Sequence, residues 1–149
     1  MDDMKTALII SRCSTNETKQ DVKRQTEELN AKYKNIYNIV EVFEYYLSGT
    51  RNDTTNEEIV KKAIDLKVDT ILVSEISRIS RKVISALTFV ECCTKNKINV
   101  HIDSNNLQTL NEDKTENENT TMILTIGAQF AAIELKQTYR RLKSDLCVF

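Results

Sequence analysis

Residues 6–15, TALIISRCST, join a short apolar run to a polar turn that carries an arginine and several hydroxyl side chains. A continuous apolar run of this length is typical of a strand that is buried on both faces of a sheet. We therefore predict a strand from Thr6 to Ile10 that ends near Arg12. The segment Ser11–Thr15 then follows the carboxyl end of that strand, which is where open α/β sheets bind ligands.

The rest of the chain alternates between β-branched or apolar runs and segments whose apolar residues recur at helical spacing. The further predicted strands are Ile36–Phe43, Thr70–Ser74 and Ile98–Ile102. The predicted helices are about Thr18–Lys34, Glu57–Leu66, Lys82–Thr94 and Thr120 to about Leu142, with a loop over Ser48–Asn56. This alternation predicts an α/β fold class: an open, mainly parallel sheet of about four to five strands with helices on both faces.

The last predicted helix differs from the others. Its first half, MILTIGAQFAAIEL at residues 122–135, is apolar or small on nearly all sides, and such a helix is buried all round. One face can pack on the sheet, and a second copy of the chain is the simplest cover for the other. We predict a single domain in two parts. These are an α/β part at residues 1–110, and a flexible joint (Asn111–Asn119) with a long C-terminal interface helix for oligomerisation at residues 111–149.

The charge balance limits the partners. The 149-residue chain has 21 lysines and arginines against 22 acidic residues, a net charge of −1. A chain that neutralises many phosphates by itself is visibly basic, so contact with nucleic acid requires a local patch or a further protein. The end of the last helix offers such a patch and equally fits a solvated helix terminus; its basic residues are Lys136, Arg140, Arg141 and Lys143.

Rare residue types exclude several other classes. Two glycines and no proline argue against a turn-rich all-β fold, and a single histidine argues against a histidine-rich metal site or a Ser-His-Asp triad. The four cysteines form no Cys-x-x-Cys pair, and the start MDDMKTALII does not resemble a signal peptide. No apolar stretch reaches transmembrane length. We therefore expect a chain in the reducing cytoplasm.

Chemistry is expected where the predicted strands end. There the segments Ser11–Thr15, Tyr45–Arg51 and Glu75–Arg81 bring a hydroxyl, Ser14, near several arginines. Arginine forks bind phosphate oxygens, so a serine among arginines fits covalent phosphoryl transfer to serine. The same pattern also fits a solvated arginine pair at a helix start, with a Ser-Thr helix cap and a packed Cys13.

Four separated motifs resemble the serine site-specific recombinase family of the resolvase and invertase type, in the family's order and spacing. The motifs are Arg12-Cys13-Ser14-Thr15 with Gln20 and Gln25 downstream, Phe43 to Ser48-Gly49, Ser74–Arg81 with its two arginines, and Leu124–Arg141. The resemblance covers almost the whole chain.

The resemblance implies specific roles. Ser14 is the nucleophile that attacks the DNA backbone and forms a 5′-phosphoserine link, while Arg12, Arg78 and Arg81 hold the scissile phosphate. Gln20 supports the catalytic site, and the further candidates for support or DNA contact are Gln25, Arg51, Ser77 and Arg141. The family needs no metal or cofactor, because the phosphoserine conserves the bond energy. It binds DNA as dimers and recombines as a synaptic tetramer, with the long helix carrying those contacts.

The chain departs from the family pattern at four accessory positions. Tyr45 stands where many members have an aspartate, Ser77 where many have an acidic residue, and Thr55 and Leu135 where arginines are frequent. Family members also carry a DNA-binding domain after the long helix, for which we see no room here. We therefore expect weak site-specific DNA binding by this chain alone.

Two other function classes remain open. The first is a truncated, non-catalytic oligomerising remnant or regulator of an intact recombinase, for which Ser14 would be dispensable. The second is a flavodoxin-like module that binds a small phosphorylated ligand, against which the absence of a glycine-rich phosphate loop argues.

Overall fold

The computed structural model describes residues 4–13, 19–45, 52–80 and 82–146. Within these residues, a five-stranded sheet has the order β2-β1-β3-β4-β5. Its strands are β1 (Lys5–Arg12), β2 (Tyr37–Tyr45), β3 (Thr70–Val73), β4 (Asn99–Ile102) and β5 (Leu107–Gln108). The first four are parallel to one another, and β5 runs antiparallel to β4.

Helices cover both faces of this sheet. They are α1 (Lys19–Tyr33), α2 (Asn52–Asp65), α3 (Val83–Lys95) and α4 (Glu118–Leu146), and a 3₁₀ turn at Ile76–Arg78 follows β3. α1 packs on one face, and α2 and α3 pack on the other. The predicted fold class, an open and mainly parallel α/β sheet, is therefore confirmed.

The alternation of side chains along β1 divides the core into two layers. Ala7 and Ile9 pack with Leu29 of α1, whereas Leu8 and Ile10 pack with the α2 and α3 side. All four β1 residues are at most 1% exposed. A central parallel strand is buried on both faces, which is why β1 has no polar alternation in its sequence.

The predicted loop Ser48–Asn56 is wrong over residues 52–56, because α2 begins at Asn52. The first helical turn consists of asparagine, aspartate and threonine, and these residues are favoured near helix starts although they also favour turns. Periodicity cannot detect such a turn, since it adds no apolar residue to the pattern.

Lysines take the place of glycine where α2 and α3 end. Lys67 and Lys97 have φ of 54° and 60°, the left-handed conformation that usually favours glycine. After α2, Val68 N donates to Ala63 O at 2.9 Å, and after α3, Ile98 N donates to Cys93 O at 2.8 Å. Both ends are Schellman motifs, and they lead the chain into β3 and β4.

The segment after β4 has a defined local structure. β5 was not predicted, since a two-residue strand has no detectable period. Thr109 Oγ1 accepts a hydrogen bond from Val100 N at 2.9 Å, and Asn99 Oδ1 accepts one from Leu110 N at 3.0 Å. Lys114 forms an ion pair with Asp69. The role of Asn111–Asn119 as a flexible joint stays a prediction.

α4 begins with an asparagine cap and then diverges from the sheet. Asn117 Oδ1 accepts from Thr120 N at 3.3 Å. Thr120 is buried and Leu124 packs against the core, whereas a row of large apolar side chains is exposed: Met122, Ile123, Ile126, Phe130 and Ile133. Among the described helices, none is long and apolar enough to cross a membrane.

Candidate active site

Two neighbouring strands bring Arg12 and Arg78 together. β1 and β3 are parallel, with Ile10 in register with Val73, so both leave the sheet at the same edge. Arg12 is the last residue of β1, and Arg78 ends the 3₁₀ turn after β3. Arg78 Nη1 donates to the carbonyl oxygen of Arg12 at 2.9 Å. Arg12 is buried and the Arg78 side chain is 14% exposed, so both guanidinium groups are largely shielded from bulk water.

Gln25 of α1 binds both polar backbone groups of Arg12. Its Nε2 donates to Arg12 O at 3.1 Å, and its Oε1 lies 3.4 Å from Arg12 N, which donates to it. Gln25 is itself buried. Gln25 therefore anchors the backbone of Arg12, the last residue of β1, which lies two positions before Ser14 in the sequence.

A chain of polar contacts links α1 to the ends of β1 and β2. Thr26 Oγ1 lies 2.8 Å from Ser11 Oγ and donates to Glu44 Oε2 at 2.7 Å. Ser11 is fully buried. Successive side chains of a strand point to opposite faces of the sheet, so Ser11 points toward α1 and Arg12 toward the other face. The network joins β1, α1 and β2, and so holds Gln25 next to the strand end.

Tyr45 contributes through its backbone and its ring. Its carbonyl oxygen accepts from Cys13 N at 2.9 Å, extending the pairing of β1 and β2 by one residue. The ring stacks on Phe43, with centroids 6.3 Å apart and planes 5° from parallel. Burial, with a smaller effect of Glu58, raises the pKa of Tyr45 to about 12. The phenol of Tyr45 therefore stays neutral at pH 7.

Glu75 is a contact that sequence reasoning missed. Ser77 Oγ donates to Glu75 Oε1 at 2.5 Å, and the same oxygen lies 3.6 Å from Arg78 Nε. An acidic residue two positions before Ser77 was visible in the sequence. Its link to Arg78 depends on the 3₁₀ turn, which no periodicity indicated.

The other predicted site residues either are exposed or lie outside the described residues. Gln20 is exposed at the second position of α1, and Arg141 is exposed near the end of α4. Ser14, Arg51 and Arg81 lie outside the described residues, as do the side chains of Thr55 and Leu135. The structure therefore brings together Arg12, Arg78 and Gln25, with Ser77 linked to them through Glu75.

This arrangement favours an anionic ligand. Two arginines leave the sheet at the same edge, where the Arg78 guanidinium contacts the Arg12 backbone. Guanidinium groups bind phosphate or carboxylate oxygens with paired hydrogen bonds. Across the described parts of the chain, no cluster of three histidine, cysteine or acidic side chains could hold a metal ion.

Comparisons with known proteins relate the chain to recombinases. Residues 7–146 match the sequence profile described as the resolvase N-terminal domain. The fold is similar to the N-terminal catalytic domain of TP901-1 integrase, with a TM-score of 0.65 and 22% identity over 89% of this chain and 98% of that one. It is also similar to a resolvase family site-specific recombinase from Streptococcus pneumoniae, with a TM-score of 0.66 and 18% identity over 98% and 97% of the two chains.

A third similar structure is the C-terminal catalytic domain of ISC1926 TnpA, an IS607-like serine recombinase. Its TM-score is 0.58 at 22% identity, over 66% of this chain and 68% of that one. No curated protein sequence matches the chain. The structural likenesses establish the fold, and the profile match over nearly the whole chain establishes the family. The resemblance to the resolvase type of recombinase is thereby confirmed, and the chain belongs to the resolvase N-terminal domain family.

Proposed function

We propose that this chain cleaves and rejoins DNA strands in site-specific recombination, with Ser14 as the nucleophile and a 5′-phosphoserine intermediate. The observation that supports this most is the 2.9 Å hydrogen bond from Arg78 Nη1 to Arg12 O, two residues before Ser14. It joins two arginines at the carboxyl end of β1, directly before the segment of sequence that contains Ser14. A phosphodiester is the ligand that suits such a pair beside a hydroxyl.

The proposed step is a transesterification. Ser14 Oγ attacks the phosphorus of a DNA phosphodiester, and the bond from phosphorus to the 3′ oxygen breaks. The serine proton ends on the departing oxygen, which leaves a free 3′-hydroxyl and a 5′-phosphate bonded to serine. Rejoining reverses these changes with the 3′-hydroxyl of another strand. One ester bond forms as one breaks, so no water is consumed.

The arginines would stabilise the charge that develops on the phosphoryl oxygens. Arg12, Arg78 and Arg81 take this role in the proposal, and preorganised cations in a shielded site are the largest contribution available to such a reaction. The shielding of Arg12 and Arg78 supports it, because electrostatic interactions weaken in bulk water.

Gln25 is proposed as a positioning residue, with Gln20 as an additional polar support. The two hydrogen bonds of Gln25 to the Arg12 backbone would fix the point on the sheet from which the chain continues to Ser14. Small displacements of a reacting group lower rates strongly, so a buried anchor at this point is of direct use to the chemistry.

Assembly is the second part of the proposal. The exposed apolar residues of α4 are suited to a contact with a second copy, in a dimer on DNA and a tetramer in synapsis. The same exposed face also favours the second candidate, a non-catalytic regulator that joins an intact recombinase through α4. The two candidates differ in whether Ser14 is needed.

A fusion tests the proposal. The full chain is joined at its carboxyl end to a zinc-finger array, which binds a chosen DNA sequence. The substrate is a duplex with two finger sites flanking a randomised spacer. We expect strand cleavage and a covalent adduct, both lost in Ser14→Ala and kept in the exposed control Ser104→Ala. Recombination that persists in Ser14→Ala would overturn the mechanism, and assembly without any adduct would favour the regulator.

A further inference from the structure

We propose that Glu75 supplies the carboxylate that orients Arg78, as a positioning residue for strand cleavage; this rests on the proposed function. Ser77 directly precedes Arg78, and Glu75 lies two positions before Ser77. The 3₁₀ turn brings the Glu75 side chain back to Arg78.

One oxygen of the Glu75 carboxylate, Oε1, contacts both Ser77 and Arg78. Glu75 Oε1 accepts a hydrogen bond from Ser77 Oγ at 2.5 Å and lies 3.6 Å from Arg78 Nε. The backbone adds a third link, since Arg78 N donates to Glu75 O at 3.0 Å. The hydroxyl of Ser77 thus fixes the direction of the Glu75 carboxylate toward Arg78.

Two contacts restrain the guanidinium of Arg78. Arg12 O accepts a hydrogen bond from its Nη1, and Glu75 Oε1 lies at ion-pair distance, 3.6 Å, from its Nε without a hydrogen bond. Together the hydrogen bond and the nearby negative charge restrict how the planar fork can rotate. The orientation of Arg78 toward a bound phosphate is then set before the DNA arrives, which is the condition for effective charge stabilisation.

The exposure of Glu75 separates this role from a purely structural one. The Glu75 side chain is 49% exposed, and ion pairs of exposed side chains contribute little to stability. Removing the carboxylate should therefore leave the fold and the DNA affinity intact, and change the position of Arg78.

The first test is independent of catalysis. In the full chain, the Nε–H signal of Arg78 is followed by NMR and assigned through its loss in Arg78→Lys. We expect Glu75→Ala to shift this signal and to accelerate its exchange with water. The double variant Glu75→Ala with Ser77→Asp should restore slow exchange, because it returns a carboxylate next to Arg78. Glu112→Ala, at an exposed acid outside the site, is the matched control.

The second test measures the single-turnover rate of adduct formation in the zinc-finger fusion. Glu75→Ala should form the adduct roughly tenfold more slowly at unchanged DNA affinity, with the rate recovered by Ser77→Asp. An unchanged Arg78 signal in Glu75→Ala would overturn the inference, as would a normal rate or failure of Ser77→Asp to restore it. Adduct formation by Ser14→Ala would instead overturn the proposed function, and the NMR result would still decide the orientation of Arg78.

Discussion

The carbonyl oxygen of Arg12 accepts two hydrogen bonds, one from Gln25 and one from Arg78. The end of β1 is therefore held from both faces of the sheet, by a side chain of α1 and a side chain of the 3₁₀ turn. These groups are largely buried, and a buried polar group that loses its partner costs more free energy than an exposed hydrogen bond contributes. The anchoring of the backbone is thus the most sensitive feature of the site.

Gln25→Ala tests this anchoring. The substitution leaves the Arg12 N–H and one lone pair of its carbonyl without the amide, so we expect the free energy of unfolding to fall by about 1–3 kcal/mol. Urea denaturation measures the change. Gln20→Ala, at an exposed position of the same helix, should stay within about 0.5 kcal/mol of the wild type. Equal effects of the two variants would contradict the proposed anchor.

Asp103 gives the stability a pH dependence. It accepts hydrogen bonds at Oδ1 from Lys32 Nζ and Tyr33 Oη, both at 2.6 Å. Burial by itself would raise the pKa of Asp103, but these bonds and the Lys32 charge outweigh burial and lower it below its usual value. A carboxyl group with a lowered pKa stabilises the fold above its unfolded pKa of about 4, and this contribution disappears as the pH falls through the folded value.

Asp103→Asn should therefore unfold more easily than the wild type at pH 7, and the difference in unfolding free energy should shrink below about pH 4. Urea denaturation at a series of pH values checks this expectation. Asp65→Asn, at an exposed position of α2, serves as the control. A difference for Asp103→Asn that does not change with pH would show that the carboxylate is not the stabilising group.

At the scale of elements, the sequence predicts most of what positions the site. The apolar runs identify β1 and β3, and the rule that parallel strands share a carboxyl end predicts that Arg12 and Arg78 lie close together. What escaped prediction is local and aperiodic: the polar first turn of α2, the short β5, and the 3₁₀ turn that returns Glu75 to Arg78. The contact of Gln25 with the Arg12 backbone also escaped prediction. It depends on how α1 is rotated about its own axis, which a weakly amphipathic pattern does not define.

The lysines at the helix ends allow an elementary test of the fold. Lys67 has a left-handed backbone, and a side chain there costs about 1–2 kcal/mol relative to the right-handed region. We expect Lys67→Gly to raise the melting temperature by about 2–4 °C, since relief of strain exceeds the entropy cost of glycine. Lys61→Gly, within α2, should lower it instead. A decrease in both variants would contradict the Schellman assignment.

At the scale of the whole molecule, α4 is the element that does not complete the core. Among the described side chains of α4, Thr120 is buried and Leu124 packs against the core, whereas five large apolar side chains between Met122 and Ile133 are exposed. Gly127 lies in the same stretch, and a Cβ there would meet no atom within 4 Å. A contiguous exposed apolar surface of this kind typically marks an interface with another protein molecule.

Phe130→Glu tests the proposed interface between copies. Phe130 is 63% exposed, so the charge should be tolerated in the monomer but should disfavour burial against a second chain. Sedimentation velocity over a range of concentrations should show self-association of the wild type that is weakened in Phe130→Glu. Gln129→Glu adds the same charge at the neighbouring exposed position and should associate normally. Identical association of both variants would argue against this face.

The most direct measurement is the identity of the residue that becomes bonded to DNA. The zinc-finger fusion is incubated with a nicked duplex that traps cleavage, the adduct is digested with protease and nuclease, and the modified peptide is sequenced by mass spectrometry. We predict a single modified residue, Ser14, carrying the 5′-phosphate of the DNA. A nucleotide on any other residue, or cleaved DNA with a free 5′-phosphate and no adduct, would contradict serine-mediated strand transfer.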